Sequence, residues 1–290
     1  MPELPEVETV KLGLQSLIIG KTVKSVDHDW AKSFPNDPGI VKQYLIGSQI
    51  TAIKRRAKVL IIDLSSGYSL VIHLKMTGQL VFRSENQHFG AGHPSDSLVG
   101  KLPDNSTRVI MVFSDDSTLF FNDQRKFGWM RLVKTEEILN ISLLSSFGPE
   151  PLDRGFSWQV FKDRLQLRYK SAIKAVLLDQ KILAGVGNIY ADESLWAAKI
   201  HPSTPVAKLG DTEIKLLHKS LIDILKLAIK TGGSSDRNYV NAKGQKGSYI
   251  KFAQVFRREG QPCYRCGHEI LKIRVAGRGT HYCPYCQKLK

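Results

Sequence analysis

Short β-rich, largely apolar runs alternate with polar turns over residues 49–133. The runs include KVLIIDL, YSLVIHLKMTGQLVF, RVIMVF, TLFFND and GWMRLV, with the polar turns SSG and SDDS between some of them. Short strands with hairpin signals of this kind predict a β-sandwich or a barrel. Residues 84–107 are polar and contain glycine and proline, so we expect a long mobile loop there.

The hydrophobic period becomes helical after residue 133. The segments WQVFKDRLQL, AIKAVLLDQ, NIYADESLWAAK and DTEIKLLHKSLIDILKLAIK carry apolar residues three and four positions apart. In the last segment the predicted apolar face comprises Ile214, Leu217, Leu221, Ile224 and Ala228. A second stripe follows Pro5, a residue well placed at a helix start, and comprises Val7, Val10, Leu14, Leu17 and Ile18. The pattern predicts an α+β protein with more than one domain.

The charge balance favours a polyanionic partner. The 290 residues include 42 Lys and Arg against 27 Asp and Glu, a formal net charge of +15. Counterion release makes DNA, RNA or anionic lipid the natural partners of such a chain. Lipid is the least favoured, because no predicted helix pairs a basic face with an exposed apolar one. Since no long apolar run and no basic leader occur, we expect an intracellular protein.

All the cysteines lie near the C-terminus in two C-x2-C pairs, Cys263 with Cys266 and Cys283 with Cys286, separated by 16 residues. This spacing is typical of a tetrahedral thiolate site, in which each pair wraps around one metal ion. Four thiolates leave no open coordination position, so we predict one structural Zn²⁺ and expect catalysis elsewhere. Two disulfides or a rubredoxin-like iron site are the less favoured alternatives.

Two further segments have the chemistry of phosphate clamps. Arg278 lies between glycines in AGRG, at the predicted tip of a hairpin that joins the cysteine pairs. Asn188 follows the glycines of AGVGN at a predicted helix start, where it could act as N-cap and where free N–H groups bind phosphate. The alternatives are a solvated hairpin and a helix hairpin in which Asn188 only caps.

The N-terminal sequence MPELPEVETV combines a candidate nucleophile with carboxylates. Removal of Met1 would leave Pro2 with a secondary amine, which can attack the anomeric carbon of a sugar and form an obligately cationic iminium. Glu3 could shuttle protons beside it, and Glu6 in the first helical turn is favoured by the helix dipole. An acidic helix turn without a catalytic role is the alternative for Glu6 and Glu8.

Six separated motifs resemble the formamidopyrimidine-DNA glycosylases from end to end: PELPEVET, RRAKVL, HLKMTGQL, NDQRKFG, AGVGNIYADE and the GQPC to AGRGTHYCPYCQ finger. The resemblance implies excision of 8-oxoguanine and ring-opened purines, followed by β,δ-elimination. It implies an N-terminal β-sandwich with a terminal helix (1–134), a helix-two-turn-helix domain (135–252) and a zinc finger (253–290), with damaged or abasic double-stranded DNA in a cleft. A monomer associated with the nucleoid is expected.

The resemblance also implies residue roles. Pro2 would be the nucleophile, Glu3 the general acid/base with Glu6 in support, and Lys58 a catalytic residue that contacts phosphate. The other DNA-binding residues would be His73, Lys126, Lys174, Asn188 and Arg278. Met76, Arg125 and Phe127 would fill the space left by the flipped nucleotide, with Arg125 facing the opposite cytosine, and residues 232–247 would cover the lesion.

Some positions depart from the family pattern. Ala57 and the pair Phe256 and Arg257 stand where glycine and Tyr-Gly are usual, and Lys126 replaces a frequent arginine. Two other functions stay open. One is an endonuclease VIII type enzyme for oxidised pyrimidines, against which the PELPEVE start argues. The other is a non-catalytic damaged-DNA binder, against which the intact Pro2-Glu3 start argues.

Overall fold

The β-rich runs of the N-terminal half form two antiparallel sheets in the computed structural model, which describes residues 1–93, 95–234 and 249–290. Their strands are β1 (Val23–His28), β2 (Ile50–Arg56), β3 (Val59–Leu64), β4 (Tyr68–His73), β5 (Gly78–Arg83), β6 (His88–Gly92), β7 (Thr107–Phe113), β8 (Thr118–Asp123) and β9 (Trp129–Lys134). One sheet has the order β1-β7-β8-β5-β6 and the other the order β2-β3-β4-β9. Side chains from both sheets, among them Ile62 and Phe121, share one buried core. This arrangement confirms the predicted β-sandwich.

Helix α1 (Leu4–Ile18) contributes its predicted apolar stripe to the same core. All five residues of the stripe are buried, at 8 % exposure or less. Gly13 allows the helix to approach β6 closely, since a Cβ atom there would lie 2.1 Å from the ring of Phe89. The N-terminus is therefore anchored to the sandwich by its own helix. The N-terminal half also contains the short helices α2 (Pro38–Tyr44) and α3 (Ser142–Ser145).

The prediction of a loop over 84–107 is wrong in one part, because strand β6 lies within these residues and pairs with β5. The strand buries Phe89 and Ala91, at 0 % and 1 % exposure. Its glycines are required by close packing: a Cβ on Gly92 would lie 2.5 Å from the Gly78 carbonyl oxygen. Glycine thus marks close backbone approach here rather than a loop. A 3-10 turn, Asp96–Leu98, follows the strand.

The chain divides into two compact units. The N-terminal unit comprises Met1–Ser145 and Ile229–Tyr249, and the C-terminal unit comprises Ser146–Ala228 and Ile250–Lys290. Most of the predicted helical domain and the whole predicted finger therefore lie within the C-terminal unit. The three-domain division at 134 and 252 stays a prediction.

The C-terminal unit contains the helices predicted from the 3.6-residue period and a two-stranded hairpin. They are α4 (Trp158–Gln166), α5 (Ile173–Leu178), α6 (Asn188–Ala197), α7 (Asp211–Lys230, which ends in the other unit), β10 (Leu271–Val275) and β11 (Arg278–Tyr282). On α7 the predicted apolar face is buried except for Ile224, which is half-buried, while Leu225 takes its place in the core. Among the described residues, no helix is both long and apolar enough to cross a membrane.

Candidate active site and metal centre

The first residues of the chain are held in a defined conformation. Pro2 is buried, and Glu3 is the N-cap of α1 with 4 % exposure. Glu6 accepts the Glu3 N–H at 2.8 Å through Oε2 and the Ser234 N–H at 2.7 Å through Oε1. Gly233 has a φ of +82°, and a Cβ there would lie 2.9 Å from Glu6 Oε1. The Glu6 carboxylate therefore connects the N-terminus to the residues that precede 235–248. Most of the predicted lesion-covering segment, from residue 235 onwards, lies outside the described residues.

Lys58, in the turn before β3, lies close to His73, the last residue of the neighbouring strand β4. Lys58 precedes β3 and is 6 % exposed, while His73 ends β4 opposite Val59 and is 8 % exposed. Burial, together with the positive charges of Lys75 and Lys58, lowers the pKa of His73 to about 3. The imidazole is therefore neutral. The Lys75 N–H donates to His73 Nδ1 at 3.0 Å, so the ring proton is on Nε2, which can donate to an anion.

The three predicted void-filling residues lie on two adjacent turns of the sandwich. Met76 belongs to the turn between β4 and β5, and Arg125 and Phe127 belong to the turn between β8 and β9. The turns share one end of the sheet because Gly78 pairs with Asp123. Phe127 is 53 % exposed, and the Arg125 guanidinium lies 4.8 Å from the centre of its ring. An exposed aromatic ring can stack on bases, and a guanidinium beside it can donate hydrogen bonds to them.

Lys126 lies between these two residues and is also exposed. It has a φ of 56°, in the left-handed region, and its ammonium lies 4.7 Å from the centre of the Trp30 ring. The side chain is thus directed differently from its neighbours, although its charge remains at the surface.

Asn188 and Arg278 are adjacent in the C-terminal unit. Gly187 is the N-cap of α6, so the expectation that Asn188 caps the helix is wrong. Asn188 is instead the first helical residue, and its Nδ2 donates to the Gly279 carbonyl oxygen at 3.0 Å. Its Oδ1 is buried and has no hydrogen-bond partner among the described residues. The bond holds the helix start against the hairpin beside Arg278, which is exposed at the beginning of β11.

Lys174 is the predicted DNA-binding residue whose position differs most from expectation. It is 0 % exposed, and its ammonium donates to Asp192 Oδ1 at 2.5 Å and to Thr280 Oγ1 at 2.7 Å. Full burial is incompatible with direct contact to a nucleic-acid strand in this structure, which corrects the expectation. The ammonium instead connects α5 and α6 to β11.

Glu193, which the sequence analysis missed, has a comparable internal role. Its carboxylate is fully buried and accepts the N–H groups of Gln254, Val255 and Phe256 at 2.8–3.0 Å. Burial raises the pKa of Glu193, and the three backbone bonds oppose that effect. The only sequence signal was the acidic pair at 192 and 193 inside an otherwise apolar helix.

The four cysteines fit a single Zn²⁺. Their Sγ atoms all lie within 4.8 Å of one another, and none of the four forms a disulfide. Zn–S bonds of about 2.3 Å separate tetrahedral sulfurs by about 3.8 Å, which agrees with this spacing. The thiolate set is the kind that binds a structural zinc ion, and it is supported by packing against Val255 and Ile270.

An indole supports the metal site. Trp196 Nε1 donates to Cys263 Sγ at 3.4 Å, and the Arg265 guanidinium lies 3.9 Å from the centre of the indole ring. Burial alone would raise the pKa of Cys263. Hydrogen bonds from the Arg265 backbone and from Trp196 outweigh it and lower the pKa to about 6. These bonds favour the thiolate, which is the form that binds zinc.

Comparisons with known proteins agree along the whole chain. Residues 1–130 match the model of the formamidopyrimidine-DNA glycosylase N-terminal domain, residues 147–239 that of the H2TH domain, and residues 260–289 that of the zinc finger found in FPG and IleRS. The formamidopyrimidine-DNA glycosylase of Latilactobacillus sakei is 41% identical over 99% of this chain and 98% of its own length. That of Enterococcus faecalis is 40% identical over 100% of this chain and 98% of its own.

Solved structures agree with these relatives. A complex of a Lactococcus lactis FPG mutant with Fapy-dG containing DNA has a TM-score of 0.87 and 38% identity, covering 99% of this chain and 100% of that one. A complex of wild-type Lactococcus lactis FPG with DNA containing an oxidized pyrimidine has a TM-score of 0.86 and 38% identity, with the same coverage. This chain therefore belongs to the formamidopyrimidine-DNA glycosylase family.

Proposed function

We propose that this protein is a bifunctional DNA glycosylase and AP lyase of base excision repair. It excises oxidised purines, namely 8-oxoguanine and formamidopyrimidines, from double-stranded DNA opposite cytosine, and it then cleaves the strand. The single observation that carries the proposal is family membership over the full chain, with Pro2 and Glu3 present at the buried start of α1. The protein acts as a monomer, inside the cell and in association with the nucleoid.

Pro2 is the nucleophile of the proposed reaction. Removal of Met1 converts the Pro2 amide to a secondary amine, whose nitrogen attacks C1′ of the damaged nucleotide as the bond from C1′ to the base breaks. The base leaves with a proton. The bond from C1′ to the ring oxygen then breaks, which converts the adduct to an iminium that draws electrons from the sugar. Loss of a C2′ proton then expels the 3′ phosphate, and a second elimination expels the 5′ phosphate.

Carboxylates close to Pro2 manage the protons. Glu3 supplies a proton to the sugar ring oxygen as the ring opens and accepts protons in later steps. Glu6 supports this by fixing the Glu3 backbone, since its Oε2 accepts the Glu3 N–H at 2.8 Å. Because Glu6 also accepts the Ser234 N–H, it links the nucleophile to the segment proposed to cover the lesion.

The DNA contacts follow the roles that the family resemblance implies, with the exception of the buried Lys174. In the N-terminal unit Lys58 and Lys126 meet phosphates as cations, while His73 donates from Nε2 as a neutral group. In the C-terminal unit Asn188 and Arg278 contact the backbone of the strand. Met76, Arg125 and Phe127 replace the extruded nucleotide in the stack, with Arg125 facing the cytosine. The zinc ion, when bound, stabilises the hairpin that carries Arg278 and takes no part in the chemistry.

The test uses three duplexes, containing 8-oxoguanine opposite cytosine, thymine glycol opposite adenine, and a preformed abasic site. Wild-type protein is expected to excise 8-oxoguanine in preference to thymine glycol. Preferential cleavage of thymine glycol would support the endonuclease VIII type alternative. Lesion binding without cleavage of any duplex would support the non-catalytic binder instead.

Borohydride tests the nucleophile and substitutions test the proton shuttle. Reduction of the iminium should crosslink the terminal nitrogen to DNA, and a retained N-terminal tag should abolish both crosslink and cleavage. Glu3→Gln should reduce base excision steeply and abasic-site cleavage less. Glu8→Gln is the matched control, because Glu8 lies in the same helix and its carboxylate pairs with Arg55. Normal cleavage by a tagged protein, shown by mass spectrometry to be unprocessed, would refute the proline mechanism.

A further inference from the structure

The Asp123 side chain is a buried carboxylate that joins the two turns carrying Met76, Arg125 and Phe127. Asp123 ends β8 and is 0 % exposed. Its Oδ2 accepts the N–H groups of Phe127 at 2.8 Å and Gly128 at 2.6 Å. Its Oδ1 accepts the Arg125 N–H at 3.2 Å and the Thr77 hydroxyl. One side chain thus accepts from three backbone groups on one turn and from a side chain on the other.

Thr77 completes this connection. Its Oγ1 donates to Asp123 and accepts the Arg125 N–H at 3.1 Å. Thr77 follows Met76 directly in the chain, so its position also determines where the Met76 backbone lies. The two oxygens of the carboxylate and the hydroxyl therefore form one network that spans both turns. The two oxygens of this side chain accept on both sides, whereas an asparagine amide would present N–H groups to the donors on one of them.

The backbone of Asp123 is held independently of its side chain. Its N–H donates to the Ser106 carbonyl oxygen at 2.7 Å, and its carbonyl oxygen accepts from Arg108 Nε at 3.0 Å. The end of β8 therefore does not need the carboxylate to keep its place in the sheet. The carboxylate instead accepts hydrogen bonds from the backbone of the following turn. In that turn Gly128 has no room for a side chain, because a Cβ would lie 2.6 Å from the Phe121 ring.

We propose that Asp123, acting with Thr77, is a positioning residue for reading the base opposite the lesion. The inference rests on the proposed function, in which Arg125 faces that base. Asp123 accepts hydrogen bonds from the backbone amides of Arg125 and Phe127. These bonds fix the turn that places the guanidinium beside the aromatic ring. A loosened turn lets the guanidinium reach several bases, and discrimination then falls even though Arg125 itself is intact.

The experiment compares excision of 8-oxoguanine opposite cytosine with excision opposite adenine, using the full-length protein. Asp123→Asn and Thr77→Val are each expected to reduce the cytosine-to-adenine ratio by about tenfold. Cleavage of a preformed abasic site should change much less in both variants. Thr77→Ser keeps the hydroxyl and should restore the wild-type ratio. Thr107→Val is the matched control. It removes a buried hydroxyl on β7 that donates to Asn122, the residue of β8 before Asp123, and it lies outside the turn.

The outcomes separate this inference from the proposed function. Should Asp123→Asn fail to fold, judged by circular dichroism, Thr77→Val tests the same network with a smaller change. A folded Thr77→Val protein with the wild-type ratio would overturn the inference and leave the proposed function intact. An equal loss of the ratio in Thr107→Val would also overturn it, as a general effect of destabilisation. A wild-type protein that neither excises nor cleaves would refute the proposed function itself.

Discussion

His73 should make the N-terminal unit sensitive to mild acid. The imidazole ends β4 at 8 % exposure, and burial lowers its pKa to about 3 from an ordinary value of 6.5. Between these two values the unfolded chain binds a proton on His73 that the folded chain excludes. Stability attributable to this residue is therefore complete above pH 6.5 and falls as the pH decreases towards 3.

The size of the effect follows from the pKa difference. Each pH unit in this window costs about 1.4 kcal/mol, since one pKa unit corresponds to that free energy. From pH 7.5 to pH 5, where the unfolded histidine is almost fully protonated and the folded one is not, the loss is about 2 kcal/mol. Lys58 and Lys75 act in the same direction as burial, so low salt should not reduce the loss.

Urea unfolding at pH 7.5 and pH 5 measures this loss in wild type and in His73→Asn. Asparagine has an acceptor oxygen that can replace Nδ1 for the Lys75 N–H, and it does not titrate. We expect the wild type to lose about 2 kcal/mol more than the variant between the two pH values. His28→Asn, a change at an exposed histidine of the same unit, is the control and should behave like wild type. Equal pH dependence in wild type and His73→Asn would refute the neutral, buried imidazole.

Two further predictions concern the C-terminal unit. Trp196→Phe removes the donor to Cys263 Sγ and should weaken zinc binding about tenfold in a chelator competition, whereas Trp158→Phe should not; equal affinity in both would contradict a role for the indole. Arg257→Gly should raise the free energy of unfolding in urea by about 0.5–1 kcal/mol, because Arg257 is exposed with a φ of 59°. Arg257→Ala keeps the Cβ and should give no gain.

The sandwich could be predicted because its strands are short apolar runs, such as the wholly buried β3, and because polar turns separate them. The missed strand β6 reads HFGAG, in which Gly90 and Gly92 alternate with the core residues Phe89 and Ala91. Those glycines are explained by close contacts with Gly78 and Leu98, residues from two other parts of the chain. A local sequence window contains no information about such contacts, so the glycines of this segment predict a loop.

The sequence predicts the chemistry of the candidate sites better than it predicts the contacts that support them. The cysteine spacing indicates a metal site because each C-x2-C pair is a local motif, and the Sγ cluster confirms that the pairs meet. Glu6 could be placed in the first turn of α1, but its bond to Ser234 joins residues 228 positions apart. The network around Asp123 was missed for a similar reason, since Thr77 lies 46 positions away.

Two departures from the family pattern have a common physical basis. Ala57 and Arg257 stand where glycine is usual, and their φ angles are 53° and 59°. Both residues therefore adopt the left-handed conformation that glycine enters without strain, at a cost of about 1–2 kcal/mol each. The backbone at these positions is thus determined by the surrounding fold rather than by the local residue, which explains how the substitutions are accommodated.

Lys174 shows why net charge predicts a partner better than it predicts contacts. Its ammonium is buried against Asp192, which also accepts the His281 N–H at 3.0 Å. A buried lysine and aspartate together add nothing to the formal charge of +15, so the positive excess must come from the other ionisable groups, most of them exposed. The attraction to DNA is therefore undiminished by the loss of Lys174 as a contact. We expect any contribution of Lys174 to binding to be indirect, because its ammonium holds Thr280 on β11, two residues from the exposed Arg278.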